Sequence, residues 1–400
     1  MWIRRICIEI RQVARLSAQR PTRGRSALGK PTTGLRVVHR SVGDPSQRTG
    51  AVHGRRMPAV PPLPPLPFLV RDALAIGVGE MRMRSRELHA PVPGVRMDPA
   101  LRDDLVAVCR AVALLLPDGA AFSHLTAARL WGLPVSRRVE RDRKLHVTGV
   151  GAGRPVRTER VVPHEGLPER ERRTRHGVAV TSPVRTWFDL GGLLGPGHLD
   201  ERGAERRGVD PLHEELVVLT DALLADDGLR QVPRYGVGPA DLGRALAASA
   251  GARGVRRLRR AFGDASQFVD SPPETRLRLG LTRAGFPLPV VGADLVTSVG
   301  AWVARPDLCW PQVRVAVDYD GAPHLSRRKL RSDVERRDSL ERVGWRHVVV
   351  FKEDLEEKWG MTLRRVAEAF EAHGCQDPSR APAAARAVVR PRVVCPDRVT

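Results

Sequence analysis

Three carboxylates in the C-terminal third of the chain, Asp307, Asp318 and Asp320, have the types and spacing that could hold a divalent metal ion. Asp318 and Asp320 occupy the strongly β-prone run Val315-Ala316-Val317-Asp318-Tyr319-Asp320-Gly321. Side chains alternate along a strand, so a spacing of two places both carboxylates on one face. Asp307, in Arg305-Pro306-Asp307-Leu308, lies near the end of the preceding β-prone segment, where a buried carboxylate needs a partner. Acids on two adjacent hairpin strands can converge on one point. Mg²⁺ prefers hard oxygens at about 2.0–2.1 Å and keeps several waters, so two carboxylates plus phosphate oxygens suffice to hold it. Mg²⁺, or Mn²⁺ in its place, would polarise the phosphate and help generate hydroxide from a water. Glu274 is the fourth acid, in Ser271-Pro272-Pro273-Glu274. The Ser-x-x-Glu spacing is also that of a capping box, so Glu274 has a purely structural alternative. Asp318 has one too, as the partner of an arginine across the sheet.

The elements that must position these acids follow from periodicity and turn residues. A helix opens at Ser271 with Leu277, Leu281 and Ala284 on its apolar side and closes at Gly285. Val290–Thr297 and Ala301–Cys309 read as strands joined by a turn near Ser298–Gly300, and Val313–Asp320 follows after Trp310-Pro311-Gln312. A charged helix over Ser326–Val343, a strand over His347–Phe351 and a helix over Asp354–Phe370 complete the order. This α-β-β-β-α-β-α succession predicts a mixed sheet covered by helices across residues 270–372.

With that order in place, Pro306-Asp307, Asp318-Tyr319-Asp320-Gly321 and His324 resemble the PD-(D/E)xK, or restriction-endonuclease-like, superfamily. The resemblance is greatest to domain-of-unknown-function family 559 and the very-short-patch-repair endonucleases. It covers about residues 270–357 and includes the Gly344-Trp345-Arg346 turn and Asp333, Arg336 and Arg337 on the preceding helix. It implies Mg²⁺ (or Mn²⁺) as cofactor and DNA as substrate. By it, Glu274 is the first-helix acid, Asp307 the central metal ligand and Asp318 the next motif acid, with Asp320 standing where the superfamily has lysine. His324 then takes the proton-transfer or water-positioning role. Arg305, Arg327 and Arg328, with Arg256 and Arg257 from an upstream basic helix, are candidates to hold the nucleic-acid backbone; a solvated surface is their alternative. A non-catalytic DNA-binding regulator that keeps the nuclease fold as a scaffold is the rival reading, and the missing lysine is the feature that favours it.

Residues 68–250 read as a separate α+β module. Leu101–Leu116 has helical spacing and stops at Pro117-Asp118-Gly119, and Ser123 can cap a helix ending at Trp131-Gly132. Leu145–Val150, Arg160–His164 and Val178–Thr181 read as strands. Ser182-Pro183 opens a helix through Leu190, and Leu212–Leu224 is another. Two short helices around Gly77 predict a truncated helix-turn-helix or, alternatively, a small helical cap. No metal-ligand spacing is evident here: His124 reads as a structural residue, and His146 and His164, on separate strands, as ordinary ones. The stretches Ala121–Pro134 and Thr181–Leu190 resemble the AbiEi-type antitoxin and regulator family, which implies a toxin or repair partner besides DNA.

Composition bounds the rest. The chain has 400 residues and a formal charge of +22, of which +11 lies in residues 1–60. Those residues and the run Pro61-Pro62-Leu63-Pro64-Pro65-Leu66-Pro67 predict a disordered, basic leader over residues 1–67, with translation from Met57 as an alternative origin. Residues 251–269 read as a basic linker helix and residues 373–400 as a disordered tail. No apolar run approaches the roughly 20 residues of a membrane span. Five cysteines without C-x-x-C pairing exclude a cysteine-built zinc site and suit a reducing compartment, so a cytoplasmic location is expected. The fold class expected is α/β in the broad sense: an α+β multidomain chain.

Overall fold

The computed structural model describes residues 61–149, 158–199, 201–226, 234–321, 327–372 and 391–395. The greater part of the leader, His324, and the side chains of Arg327 and Arg328 lie outside the described residues. The fold is α+β, as expected.

The chain opens with β1 (Phe68–Leu69), α1 (Val70–Ala75), α2 (Glu80–Met83) and β2 (Val95–Arg96). The two short helices form on either side of Gly77, at φ +85°, but α2 is a single turn. Its Met83 is buried with Phe68, Ala73 and Val78, so the pair is a cap and not a groove-reading helix-turn-helix. Part of the leader joins this cap. Leu63 packs on it and Arg82 Nη1 donates to the Pro61 carbonyl at 2.9 Å, which corrects the expected disorder up to residue 67.

Next come α3 (Leu105–Ala113), β3 (Ala121–Phe122), α4 (His124–Trp131), α5 (Arg137–Arg141), β4 (Leu145–Gly149), β5 (Val161–Glu165), β6 (Arg172–Arg175) and β7 (Val178–Thr181). The strands make one sheet in the order β5-β4-β3-β7-β6. Gly132 ends α4 at φ +72°, as its position predicts. Helices α6 (Pro183–Leu193), α7 (Glu201–Arg206), α8 (Pro211–Leu224), α9 (Pro239–Ala248) and α10 (Val255–Asp264) follow.

The supposed linker helix α10 is part of this module's core. Val255, Leu258 and Ala261 are buried with Trp187, Leu190 and Leu216, because its apolar residues recur at intervals of three and four and need a cover. Its crossing with α6 is close: a Cβ at Gly191 would lie 2.4 Å from the Leu258 side chain, and one at Gly254 would lie 2.2 Å from the Gly191 carbonyl oxygen. Gly254 also sits at φ +85°. Gly254→Ala is expected to destabilise the protein by about 2 kcal/mol or more, read as a lowered urea midpoint; an unchanged midpoint would contradict this packing.

The C-terminal module contains α11 (Pro272–Arg283), β8 (Val290–Val291), β9 (Asp294–Val296), β10 (Trp302–Ala304), β11 (Leu308–Trp310), β12 (Val315–Asp320), α12 (Arg327–Arg342), β13 (Arg346–Phe351), α13 (Lys352–Glu356), α14 (Trp359–Ala372) and β14 (Arg392–Val394). Helix-strand order agrees with expectation, but each of the first two predicted strands breaks in two. The first breaks at Gly292, at φ +54°, whose N–H donates to the Asp307 carbonyl at 2.9 Å. The second breaks at Arg305-Pro306-Asp307, where proline has no N–H for a ladder. The pieces are shared between a sheet ordered β13-β12-β11-β8 and a small one ordered β10-β9-β14. Strand β14 pairs in parallel with β9 and Cys395 is buried beyond it, so the tail is not wholly without structure. Glu357-Lys358 interrupts the closing helix, dividing it into α13 and α14.

One face of β12 (Val315, Val317, with Tyr319 partly) packs into a core with Leu277 and Leu281 of α11 and Leu363 and Val366 of α14. The other carries Ala316, packed with Leu340 of α12, Cys309 and Trp345. The parallel β12–α12–β13 crossover puts His347 beside Ala316 and Val349 beside Asp318. The two modules also share buried charge. Asp221 of α8 accepts from Ser266 N–H at 2.8 Å, Thr275 Oγ1 at 2.9 Å and Arg278 Nη2 at 2.7 Å, the last two on α11.

Candidate active site

Strand pairing creates the candidate site. Leu308 of β11 lies opposite Val317, so the residue before it, Asp307, falls opposite Asp318 across the antiparallel pair. The two are interlocked through backbone: Asp307 N–H donates to Asp318 Oδ1 at 2.9 Å, and Tyr319 N–H donates to Asp307 Oδ2 at 2.7 Å. The Asp307 carboxylate is thus held on the β12 backbone next to Asp318, near enough for the two charges to interact. Asp320 sits two residues on, half-buried at the strand's end.

Glu274 approaches from α11. Its oxygens accept from Asp270 N–H at 2.9 Å and Ser271 Oγ at 2.6 Å, so the helix-start function is real, although Ser271 donates to Glu274 instead of capping an amide. Glu274 is also close enough to Asp307 for their charges to interact strongly. Burial, then the charges of Glu274 and Asp318, push the Asp307 carboxyl up to about 8, outweighing the Tyr319 amide and Arg336. Glu274 is raised as well, chiefly by burial. Asp318 goes the other way: burial would raise it, but the His347 hydrogen bond and Arg336 more than offset that.

Two members of the site come from across the crossover. His347 Nε2 lies 2.8 Å from Asp318 Oδ2, and Arg336 Nη1 donates to the same oxygen at 3.0 Å. Sequence reasoning placed Arg336 on the preceding helix but missed His347. The available signal was its position as the second residue of a strand that a right-handed crossover lays beside β12.

Other candidates lie elsewhere. Arg305 is engaged in a fork to Asp294, Nε to Oδ1 at 2.8 Å and Nη2 to Oδ2 at 3.0 Å, so it braces β10 against β9 and is no free phosphate clamp. Arg256 and Arg257 are exposed on α10, in the other module. Nor do the acids supply a three-ligand set: among the described residues, the group with three ligand atoms mutually within 4.8 Å is His124, His146 and His164. A third histidine thus lies beside the two expected to stand without one, because β4 and β5 pair while α4 begins next to them.

The carboxylates fit a hard divalent cation on one observation in particular. Glu274, Asp307 and Asp318 gather at one place where the Arg336 guanidinium bonds to Asp318, and burial with the like charges of its neighbours favours a protonated Asp307 carboxyl. A cation would release that proton. It also sets a pH dependence. Because the folded pKa lies above the unfolded one, the native state binds more protons between about pH 4 and about pH 8, and Asp307's contribution to stability falls as pH rises through that window. In urea titrations, the parent is expected to lose stability relative to Asp307→Asn as pH is raised; parallel pH profiles would contradict the assignment.

Comparison of the chain with protein-family models, curated proteins and solved structures gives no match. Among the described residues no helix is long and apolar enough to cross a membrane.

Proposed function

We propose that the C-terminal module is a divalent-cation-dependent endonuclease that hydrolyses DNA phosphodiesters. The reading rests on the paired acids Asp307 and Asp318, locked together at the open end of β11 and β12 with Glu274 beside them. Asp307 and Asp318 would hold the cation; Asp320 lies two residues further along β12, at the strand end. A bound Mg²⁺ or Mn²⁺ supplies neutralisation of phosphate charge and a lowered pKa for a nearby water. Arg336 and His347 fix the Asp318 carboxylate in one orientation, which pre-organises the ligand geometry. Glu274 adds negative charge that favours a cation and ties α11 to the site. His324 keeps its proposed proton-transfer role by the sequence resemblance alone.

A DNA-binding regulator, paired with a toxin or repair partner, is the second reading. It is favoured by the saturation of Asp318: its two oxygens already receive Asp307 N–H, Arg336 and His347, as a purely structural acid's would. A gel shift of supercoiled and linear DNA separates the two. The nuclease reading expects binding in EDTA that converts to nicked product when Mn²⁺ is added. Salt-sensitive binding that persists unchanged with Mn²⁺, without cleavage, overturns it in favour of the regulator.

A further inference from the structure

We propose that His124, His146 and His164 form a second metal site, in the N-terminal module, for a divalent transition-metal ion of which zinc is the best-suited class. One ligand atom from each histidine lies within 4.8 Å of the others. Imidazole nitrogen favours zinc, copper, iron or nickel over magnesium and calcium, so this chemistry is distinct from that of the acidic site.

The backbone delivers the three rings from separate elements. His146 and His164 stand on the adjacent parallel strands β4 and β5, with His146 Nδ1 only 2.8 Å from His164 Nε2. Two nitrogens on one tetrahedral zinc lie about 3.3 Å apart, so an ion between them needs an opening of a few tenths of an ångström. His124 begins α4 at φ +50°, a left-handed conformation uncommon outside glycine, and this turns its ring onto the other two. Its Nδ1 faces Ser123 Oγ at 2.9 Å and Asp189 Oδ2 at 3.8 Å, which leaves Nε2 for the ion.

Asp189 is the independent observation. Its Oδ1 accepts from Arg185 at 2.7 Å, but its Oδ2 is buried, without a hydrogen-bond partner in the protein, and directed at His124. A carboxylate behind the non-ligating nitrogen of a histidine is the usual outer partner of a metal-bound imidazole, fixing its tautomer and raising its basicity. One adjustment is required. The His124 and His164 rings are stacked, with centroids 3.6 Å apart and planes 19° apart, so His164, half-buried on the sheet's edge strand, turns to aim its lone pair at the ion.

The test uses the full chain, stripped of metal with a chelator and titrated with zinc sulfate in a calorimeter, then with Co²⁺ in a spectrophotometer. One tight zinc equivalent is expected in the parent and in Asp307→Asn. Co²⁺ should give visible ligand-field bands of a tetrahedral nitrogen and oxygen site, without thiolate charge-transfer bands. His146→Ala and His164→Gln should each weaken zinc by about 100-fold or more, and Asp189→Asn by about tenfold. Saturating zinc should raise the parent's Tm and leave that of His164→Gln unmoved. His164 is half-buried, so this variant serves even if His146→Ala fails to fold. Absence of a tight equivalent in the parent, or an undiminished one in His164→Gln, overturns the proposal. Loss of zinc in Asp307→Asn would overturn it too, by assigning the ion to the acidic site.

Discussion

Asp307→Asn is expected to abolish cation-dependent DNA cleavage while leaving the protein at least as stable as the parent at neutral pH. Asparagine offers an oxygen to the Tyr319 N–H, so the interlock with β12 can persist. It also removes a carboxyl whose ionisation is opposed by burial, Glu274 and Asp318. What is lost is a cation ligand, worth several kcal/mol of transition-state stabilisation; about 4 kcal/mol corresponds to a ~1000-fold slower cleavage. Plasmid nicking and thermal melting on the same preparations check both halves. Equal nicking by parent and variant would trace the activity to a contaminant, and a strongly lowered Tm would show that Asp307 serves structure. An acid kept for stability should not behave as the first outcome describes.

The largest stability effect is expected far from those acids, at Asp221. Its carboxylate is fully buried and satisfied by Ser266, Thr275 and Arg278, while Arg278 also donates to the Asp264 carbonyl at 2.7 Å. Asp221→Ala leaves the Arg278 guanidinium buried without its counter-charge, which costs about 3–5 kcal/mol. Urea denaturation should show the loss, and Asp221→Asn, which keeps a hydrogen-bond acceptor, should lose less. Because Asp221 is on α8 and Arg278 on α11, the variant should loosen both modules together. A loss confined to one module, seen as two separated unfolding transitions, would contradict that coupling. Arg207 adds a second such tie, forked onto Glu214 at 2.6 and 3.2 Å and donating to the Leu355 carbonyl at 3.2 Å.

Much of the acidic site was legible in the chain. The β-branched run before Asp318 fixed a strand, the alternation fixed its faces, and the turn at Trp310-Pro311-Gln312 implied the hairpin that puts Asp307 opposite Asp318. Helix α12 was legible almost to the residue, as were β7 and α8, through caps and periodicity. The failures share a cause, which is dependence on non-local pairing. Nothing in Arg392–Val394 alone marks a strand, since its partner β9 lies nearly 100 residues away in sequence and supplies its hydrogen bonds. His347 reaches Asp318 only through a parallel crossover. The histidine cluster has no motif spacing because three elements from different parts of the module bring it together. Arg305 looked like a free cation until β9 placed Asp294 beside it. The broken strands were a local misreading: Gly292 and Pro306 both carried the signal for a change of sheet.

Equilibrium binding of Mn²⁺, followed by the loss of its free-ion electron paramagnetic resonance signal, tests most directly whether the C-terminal acids cage a cation. The manganese ion is hard and prefers carboxylate oxygen, so the histidine site competes poorly for it. The parent should take up Mn²⁺ more tightly as pH rises toward about 8, where Asp307 gives up its proton, and Asp307→Asn should lose that uptake. Identical Mn²⁺ binding by the two proteins at every pH would contradict a metal-dependent hydrolase and leave Asp307 and Asp318 as a structural clasp between two strands.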